Sequence, residues 1–176
     1  FPGKVSSSGI EEKDINLAIA LKLQNLLIPD GAEIVMSRTT DTELASADYD
    51  KLIQRQRADL KARTDIAKQC GADYFISFHR NASPNANEYQ GVETLVFDDQ
   101  GIKAEMARNV NANLEQVGFR NIGVKERPNL TVLRRTKIPA ILIEAGFLNS
   151  DQDNERFDEK FQEIAQAIAD GIMETI

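Results

Sequence analysis

Several residue types are scarce or absent in this sequence of 176 residues. It contains one cysteine, one histidine and no tryptophan. A single cysteine excludes an internal disulfide framework and a zinc module built from several cysteines. No apolar stretch approaches the roughly 20 residues that a membrane-spanning helix requires, so we expect no membrane span.

Basic residues are also in the minority. The chain has 21 Lys and Arg against 28 Asp and Glu, which gives a formal charge of −7. Binding to a nucleic-acid backbone needs a basic footprint, so we expect no nucleic-acid partner. The share of hydrophobic residues (41%) and of charged residues (28%) is that of an ordinary globular protein, and the length suits one domain. We therefore interpret residues 1–176 as a single domain.

Hydrophobic periodicity predicts that helices and strands alternate along the chain. Helical spacing covers residues 12–27, about 50–70, 102–117 and part of 151–175. Short apolar runs predict strands at 32–37, 73–79, 91–97, 130–133 and 140–143. This order predicts a three-layer α/β/α sandwich with a mixed, mainly parallel central sheet. In the helix at 50–70 we expect Leu52 and Ile53 to contribute to the core, and we expect Cys70 to be a buried structural thiol.

Three ionisable residues are expected at one edge of this sheet. His79 and Glu144 each follow a predicted strand, and active sites in open α/β sheets lie beyond the carboxyl ends of strands. Glu12 opens the first helix and can reach the same edge. An imidazole and carboxylates are ligands that zinc accepts, and a nearby unligated Glu can move a proton. The sequence lacks the G-x-S-x-G, H-E-x-x-H and G-x-G-x-x-G motifs.

Each of these residues also has a structural interpretation. A lone histidine is more often a hydrogen-bonded structural residue than a ligand. Glu12 can simply stabilise the helix N-terminus through the helix dipole. Glu144 is harder to explain in this way, because an unpaired carboxylate inside the apolar segment 140–148 costs several kcal/mol. Residue types and spacing alone leave these alternatives open.

Four segments resemble one known family. Residues 11–20 (EEKDINLAIA), 77–82 (SFHRNA), 91–94 (GVET) and 143–149 (IEAGFLN) are similar, in this order, to motifs of the zinc-dependent N-acetylmuramoyl-L-alanine amidases of the amidase-3 type. The segment 133–140 fits the stretch before the family's last strand. The motifs spread over nearly the whole chain, so together they are specific, whereas any one of them would be weak.

The resemblance implies a role for each residue. Glu12 and His79 match zinc ligands, and Glu144 matches the catalytic glutamate. Asn81 matches a polar residue near the metal that helps to hold substrate, and Arg80 is a tentative second substrate contact. The implied reaction is hydrolysis of the amide that joins the lactyl group of N-acetylmuramic acid to L-alanine in peptidoglycan. Zinc would polarise the carbonyl and activate water, with Glu144 moving the proton.

The sequence departs from the family pattern at its start. The family's first ligand is a histidine at the end of a first strand, and neither that strand nor that histidine is present here. We therefore expect the domain to be N-terminally incomplete, with the third ligand upstream of Phe1. The alternative is a catalytically silent cell-wall-binding or regulatory domain that lacks one ligand. The resemblance also implies export to the bacterial cell envelope or beyond, although no signal segment opens this sequence, and we expect a monomer.

Overall fold

The computed structural model describes residues 2–6, 9–45 and 51–176. This part of the chain forms five helices, which are α1 (Glu12–Leu27), α2 (Leu52–Gln69), α3 (Gly101–Gln116), α4 (Thr131–Arg135) and α5 (Asp151–Met173). Its four strands are β1 (Phe75–Asn81), β2 (Val92–Val96), β3 (Asn121–Glu126) and β4 (Ala140–Phe147). Helices and strands alternate through most of the chain, as the periodicity predicts.

The described strands form one sheet in the order β1-β4-β2-β3. β1 pairs with β4 in parallel, and so does β2 with β3, whereas β2 and β4 are antiparallel. Two of these three pairings are parallel. The prediction of a mixed, mainly parallel sheet is therefore confirmed.

Helices cover both faces of the sheet. On one face α1, α3 and α5 share a continuous apolar core with strand residues such as Val96 and Ile143. On the other face a smaller cluster joins Leu95 and Leu142 to residues of α2 and α4. Each element thereby buries its apolar side against a neighbour, which is the reason that layered folds form. The three-layer α/β/α arrangement is confirmed.

β4 is buried along almost its whole length. Seven of its eight residues are buried, because β4 has a neighbour on each edge and helices on both faces. The exception is Glu144, which is partly exposed. This carboxylate therefore lies in the middle of the most apolar strand of the sheet.

The predicted strand at residues 32–37 is wrong. These residues form irregular backbone, and Val35 is exposed. They line a groove of about 1240 Å³ whose other wall includes β1, and no described strand pairs with the outer edge of β1. A strand needs a hydrogen-bonded neighbour for its backbone N–H and C=O groups. Among the residues that the structure describes, this segment has none, so its apolar pattern alone does not make it a strand.

Residues 130–133 were also predicted as a strand, and this is wrong because they enter the short helix α4. A brief apolar run does not distinguish a strand from a buried helical turn. Val132 and Leu133 of α4 are buried against the sheet, so the run marks burial correctly. The edge strand β3 was not predicted, since Gly123 and the charged pair Lys125 and Glu126 weaken its strand pattern.

The N-terminal and C-terminal ends of α2 differ from expectation. Leu52 and Ile53 are exposed, because α2 reaches the apolar cluster only further along, at Leu60. Their assignment to the core is therefore wrong. Cys70 is exposed as well, since it follows the last turn of α2, and the prediction of a buried thiol is wrong.

Candidate active site

Three acidic or basic side chains form a row across the sheet. His79 on β1 is in register with Glu144 on β4, and Glu144 is in register with Glu93 on β2. Residues in register on adjacent strands present their side chains on the same face. We call His79, Glu144 and Glu93 the catalytic row. It lies two or three residues before the carboxyl ends of β1 and β4, close to the predicted edge.

Glu12 joins the row from the first turn of α1. Its Oε1 atom lies 2.8 Å from Nδ1 of His79. The backbone N–H of Lys4 donates to Glu12 Oε2 at 2.8 Å, the side chain of Asn16 donates to Oε1 at 3.3 Å, and the N–H of Arg80 does so at 3.4 Å. Glu12 is therefore a buried, oriented carboxylate rather than an exposed helix-dipole residue.

The contacts of Glu12 and His79 stabilise both as ions. Burial alone would raise the pKa of Glu12, but the hydrogen bonds from His79 and Lys4 outweigh it and lower that pKa to about 2. Burial opposes the charged form of His79 as well, yet its hydrogen bond to Glu12 and the charges of Glu144 and Glu12 raise the pKa of His79. The two groups form an ion pair when no cation lies between them.

Gly3 is positioned directly over the Glu12 carboxylate. Its φ is +72°, and a Cβ atom at Gly3 would lie 2.5 Å from Glu12 Oε2 and 2.9 Å from Glu12 Cβ. A side chain at this position would therefore push the carboxylate away from Lys4 or displace the loop. Glycine is required here for space as well as for backbone conformation.

We expect Gly3→Ala to lower the free energy of unfolding by about 2–3 kcal/mol. About 1–2 kcal/mol comes from the left-handed backbone and the rest from the weakened contacts of a buried carboxylate. Gly9→Ala is the matched control, because Gly9 has a φ of +85° but nothing within 4 Å of its Cβ position. Urea denaturation measures both variants. An equal loss of unfolding free energy for Gly3→Ala and Gly9→Ala would contradict the close approach of Gly3 to Glu12.

Glu144 has the environment of an acid–base group. Its Oε2 atom is buried and has no hydrogen-bond partner among the residues that the structure describes. Burial raises the pKa of Glu144 to about 7; the charge of His79 opposes this rise, while the charges of Glu12 and Glu93 add to it. A carboxyl group whose pKa lies near neutrality can both accept and return a proton.

Asn81 contacts the row at Glu93. The Asn81 amide donates to Glu93 Oε1 at 2.8 Å, and its oxygen accepts from the N–H of Ala82 at 2.8 Å. These two bonds fix which way the amide faces. Glu93 was not among the predicted site residues. Its only sequence signal is its place in the motif at 91–94, since strand register cannot be read from the chain.

Arg80 does not lie with the others, which corrects its tentative assignment as a substrate contact. Side chains alternate along a strand, so Arg80 points to the face opposite His79. Its guanidinium is buried 4.0 Å from the ring centroid of Phe157 and donates to the carbonyl of Phe147 and to Asn154 Oδ1. Burial lowers the pKa of Arg80 to about 10, which still leaves it charged. Arg80 ties β1 and β4 to α5.

A fully buried aspartate holds the carboxyl end of β4 in place. Asp153 Oδ2 accepts from the N–H groups of Phe147 and Gly91 at 2.8 and 2.9 Å. Its own N–H donates to Ser150 Oγ, which caps the N-terminus of α5. Asp153 therefore joins the end of β4, the start of β2 and the start of α5, and it fixes the strands that carry Glu144 and Glu93.

The pair of Glu12 and His79 suits a zinc ion in chemical kind. Zinc accepts carboxylate oxygen and imidazole nitrogen, and the two donor atoms already lie 2.8 Å apart. Within residues 2–6, 9–45 and 51–176, no group of three or more His, Cys, Asp or Glu side chains is placed to hold a metal ion. The described residues therefore bring together two side chains of kinds that zinc accepts.

One known protein family matches nearly the whole chain. The profile of the Amidase_3 family, described as N-acetylmuramoyl-L-alanine amidase, matches residues 2–174. The chain therefore belongs to the Amidase_3 family of N-acetylmuramoyl-L-alanine amidases. It is 32% identical over 173 residues to the N-acetylmuramoyl-L-alanine amidase CwlM of Bacillus licheniformis, covering 95% of this chain and 61% of that protein.

Solved structures give the same result. The CwlD amidase of Clostridioides difficile, solved in complex with the GerS lipoprotein, superimposes with a TM-score of 0.90 at 33% identity over 99% of this chain and 91% of that one. The catalytic domain of CwlV, an N-acetylmuramoyl-L-alanine amidase from Bacillus (Paenibacillus) polymyxa var. colistinus, gives 0.81 at 31% identity over 98% and 89%.

The curated relatives are longer than this chain. A sporulation-specific N-acetylmuramoyl-L-alanine amidase of Bacillus subtilis is 29% identical over 177 residues, which are 97% of this chain and 62% of that protein. The chain thus spans about three fifths of the length of this protein and of CwlM. None of the helices in the described part of the chain combines the length and apolar character needed to cross a bilayer.

Proposed function

We propose that this domain hydrolyses the amide bond between N-acetylmuramic acid and L-alanine in bacterial peptidoglycan. The observation that carries the proposal is the placement of a buried carboxyl group without a hydrogen-bond partner, Glu144, in register with His79, which is itself paired with Glu12. Membership of the amidase family supports this substrate, and relatives named as cell-wall amidases support it further.

We propose Glu12 and His79 as ligands of a zinc ion. When bound, zinc would act as a Lewis acid on the scissile carbonyl and make water a better nucleophile near neutral pH. Lys4, Asn16 and Arg80 orient the Glu12 carboxylate towards His79, so this chain prepares the two ligands before metal arrives. The third ligand that the resemblance implies is not a histidine of this sequence, because His79 is its only one.

Glu144 is proposed to move the proton in the reaction. Its carboxylate takes a proton from the attacking water as the oxygen bonds to the lactyl carbonyl carbon. It then delivers that proton to the alanine nitrogen as the C–N bond breaks. The products are the free lactyl carboxylate and the free amine of L-alanine. The apolar surroundings of Glu144 leave no competing hydrogen bond to its Oε2 within the described residues.

We propose that the domain acts in the cell envelope or outside the cell, where its substrate is found. The relatives include a probable cell wall amidase of Staphylococcus aureus, 29% identical over 165 residues. The net charge of −7 gives no long-range attraction to anionic wall polymers, so binding must rely on contacts in the active-site groove or on another module.

The decisive experiment is digestion of purified peptidoglycan with zinc present. We expect new N-terminal alanine, detected by dinitrophenylation, and glycan strands freed of peptide, detected by mass spectrometry. The number of reducing sugar ends should stay constant, because no glycosidic bond is cut. New reducing ends would show that a glycosidic bond is cut, and new N-termini from other peptide bonds would show that a different amide is cut. Either result would contradict the proposed site of hydrolysis.

The second candidate is a catalytically silent wall-binding or regulatory domain. The described residues place only Glu12 and His79 as proposed ligands, and two ligands hold zinc less tightly than three. This candidate predicts that the domain cosediments with purified cell walls and releases no N-terminal alanine at any zinc concentration. The same digestion therefore separates the two candidates.

A further inference from the structure

An exposed aromatic ring lies at the end of the catalytic row. Tyr89, in the loop between β1 and β2, is 53% exposed. Its ring stacks on that of Phe147 with a centroid distance of 6.1 Å and an interplanar angle of 28°. A single exposed aromatic residue needs no explanation by itself. Here one feature turns the partner ring, Phe147, towards the row, and a second fixes the loop that carries Tyr89.

The first feature is an irregularity that turns Phe147 towards the row. His79 and Asn81 are two residues apart on β1. Their partners on β4, Glu144 and Phe147, are three residues apart, so β4 contains one extra residue here. This extra residue is accommodated at Gly146, whose φ is +82°. Without it, Phe147 would face away from Glu144. With it, Phe147 is in register with Asn81, whose amide contacts Glu93 in the row.

The second feature is that the loop carrying Tyr89 is pinned to the start of α5. The Asn149 amide donates to the carbonyls of Ser83 and Asn85 at 2.8 and 3.2 Å. Asn87 donates its N–H to the carbonyl of Asn149, and its side-chain oxygen accepts the N–H of Asp151 at 2.7 Å. Asn87 has a φ of +59°, a conformation that asparagine tolerates better than most residues. The exposed ring is thus presented by a fixed loop.

We propose that Tyr89, backed by the buried ring of Phe147, forms a platform on which the sugar ring of N-acetylmuramic acid stacks. The inference rests on the proposed function, in which the scissile carbonyl belongs to the lactyl group carried by that sugar. A carbonyl placed at Glu144 therefore puts the sugar ring within a few bonds of the row. The C–H face of a pyranose is apolar and flat, and it matches an exposed aromatic ring.

The charges around the loop favour the sugar over the stem peptide. Glu88 accepts from the Asn85 amide, and Asp151 accepts from the Asn87 amide, so the loop that carries Tyr89 contains one carboxylate and contacts a second. The stem peptide carries free carboxylates that these groups would repel. The sugar ring is uncharged, so these carboxylates do not repel it.

Kinetics on a soluble substrate test the platform. With muramyl dipeptide (N-acetylmuramoyl-L-alanyl-D-isoglutamine) we expect Tyr89→Ala to raise KM about tenfold, in the range of an aromatic stacking contact, with kcat within twofold of the parent. Tyr89→Phe should keep KM within twofold, because the ring remains. An unchanged KM for Tyr89→Ala, or a loss confined to kcat, would overturn the platform. If the parent protein itself does not release L-alanyl-D-isoglutamine from muramyl dipeptide, the result contradicts the proposed function rather than the platform.

Fluorescence tests binding without turnover. The chain has no tryptophan, so Tyr89→Trp, combined with Glu144→Gln to prevent cleavage, creates a single reporter on the platform. We expect muramyl dipeptide to shift or quench its emission, and the sugar-free dipeptide L-alanyl-D-isoglutamine to leave it unchanged. Phe97→Trp in the same background is the matched control, since Phe97 is exposed and follows the end of β2 that pairs with the start of β4, away from Glu144. A response to the sugar-free dipeptide, or an equal response at Phe97, would overturn the assignment to the sugar.

Discussion

Glu144→Gln is expected to lower kcat for release of N-terminal alanine by about 1,000-fold or more while the fold remains intact. A positioned acid–base group typically contributes 100- to 10,000-fold to the rate, and glutamine cannot accept or return the proton. The change is nearly isosteric. The parent carboxyl has a buried oxygen without a hydrogen-bond partner in the described part of the chain, so the neutral amide should not reduce stability. The rate at which N-terminal alanine appears gives kcat, and urea denaturation of the same preparation gives the free energy of unfolding.

Glu93→Gln is the matched control for this variant. Glu93 is in register with Glu144, and the substitution removes the same charge from the same row. Its Oε1 accepts from Asn81, and an amide oxygen can accept the same bond, so we expect a loss below about tenfold. Near-normal digestion by Glu144→Gln would refute the proton-transfer role. Equal losses for both variants would show that the charge of the row, rather than Glu144 itself, limits the reaction.

The strongly patterned elements of the fold were predictable because their patterns arise from burial. The spacing of apolar residues predicts α1 to the residue and α3, β1 and β2 to within two residues at each end, and α5 lies inside the range predicted for it. Prediction failed where a segment depends on partners that the local sequence does not specify. Residues 32–37 have the composition of a strand but no described neighbour to pair with, while β3 is a strand because β2 lies beside it.

The candidate site was predictable in part, for the same reason. His79 and Glu144 were identified from their places after apolar runs, and the structure brings them into register. The position of Glu144 inside an apolar strand was the strongest sequence signal. Burying an unpaired carboxylate costs free energy, and apolar packing does not compensate for it. The contact between Glu12 and His79 came from the family resemblance, because 67 residues separate them. Glu93 was missed, because register across an antiparallel pair is a tertiary property.

Arg80 shows a failure that strand geometry could have prevented. Once His79 is assigned to the face of the row, alternation places Arg80 on the other face. There it meets the aromatic ring of Phe157 and the carbonyl of Phe147. A charged residue next to a functional one is therefore not itself a candidate unless it shares the same face. The residues two apart from His79, such as Asn81, are the better candidates.

His79→Ala is expected to weaken zinc binding by at least about 100-fold. The substitution removes one of the two proposed ligands. Removing a residue that only hydrogen-bonds to a metal ligand already lowers metal affinity 10- to 100-fold. The His79 side chain is 42% exposed, so its removal leaves little packing to lose and the fold should persist. Titration calorimetry and atomic absorption of dialysed protein measure the metal, and circular dichroism checks the fold. Zinc content equal to that of the parent protein would refute the ligand assignment.

Two variants of α1, compared with His79→Ala, separate ligand loss from general damage. Asn16→Ala removes a donor to Glu12 Oε1, so we expect zinc binding 10- to 100-fold weaker, less than for His79→Ala. Asn25→Ala, at an exposed position of the same helix, should leave zinc affinity unchanged. The expected order of affinity loss is His79→Ala, then Asn16→Ala, then Asn25→Ala. If all three variants lose zinc alike, the loss reflects general damage to the fold rather than these contacts. If the parent protein binds no zinc, the proposed cofactor is wrong.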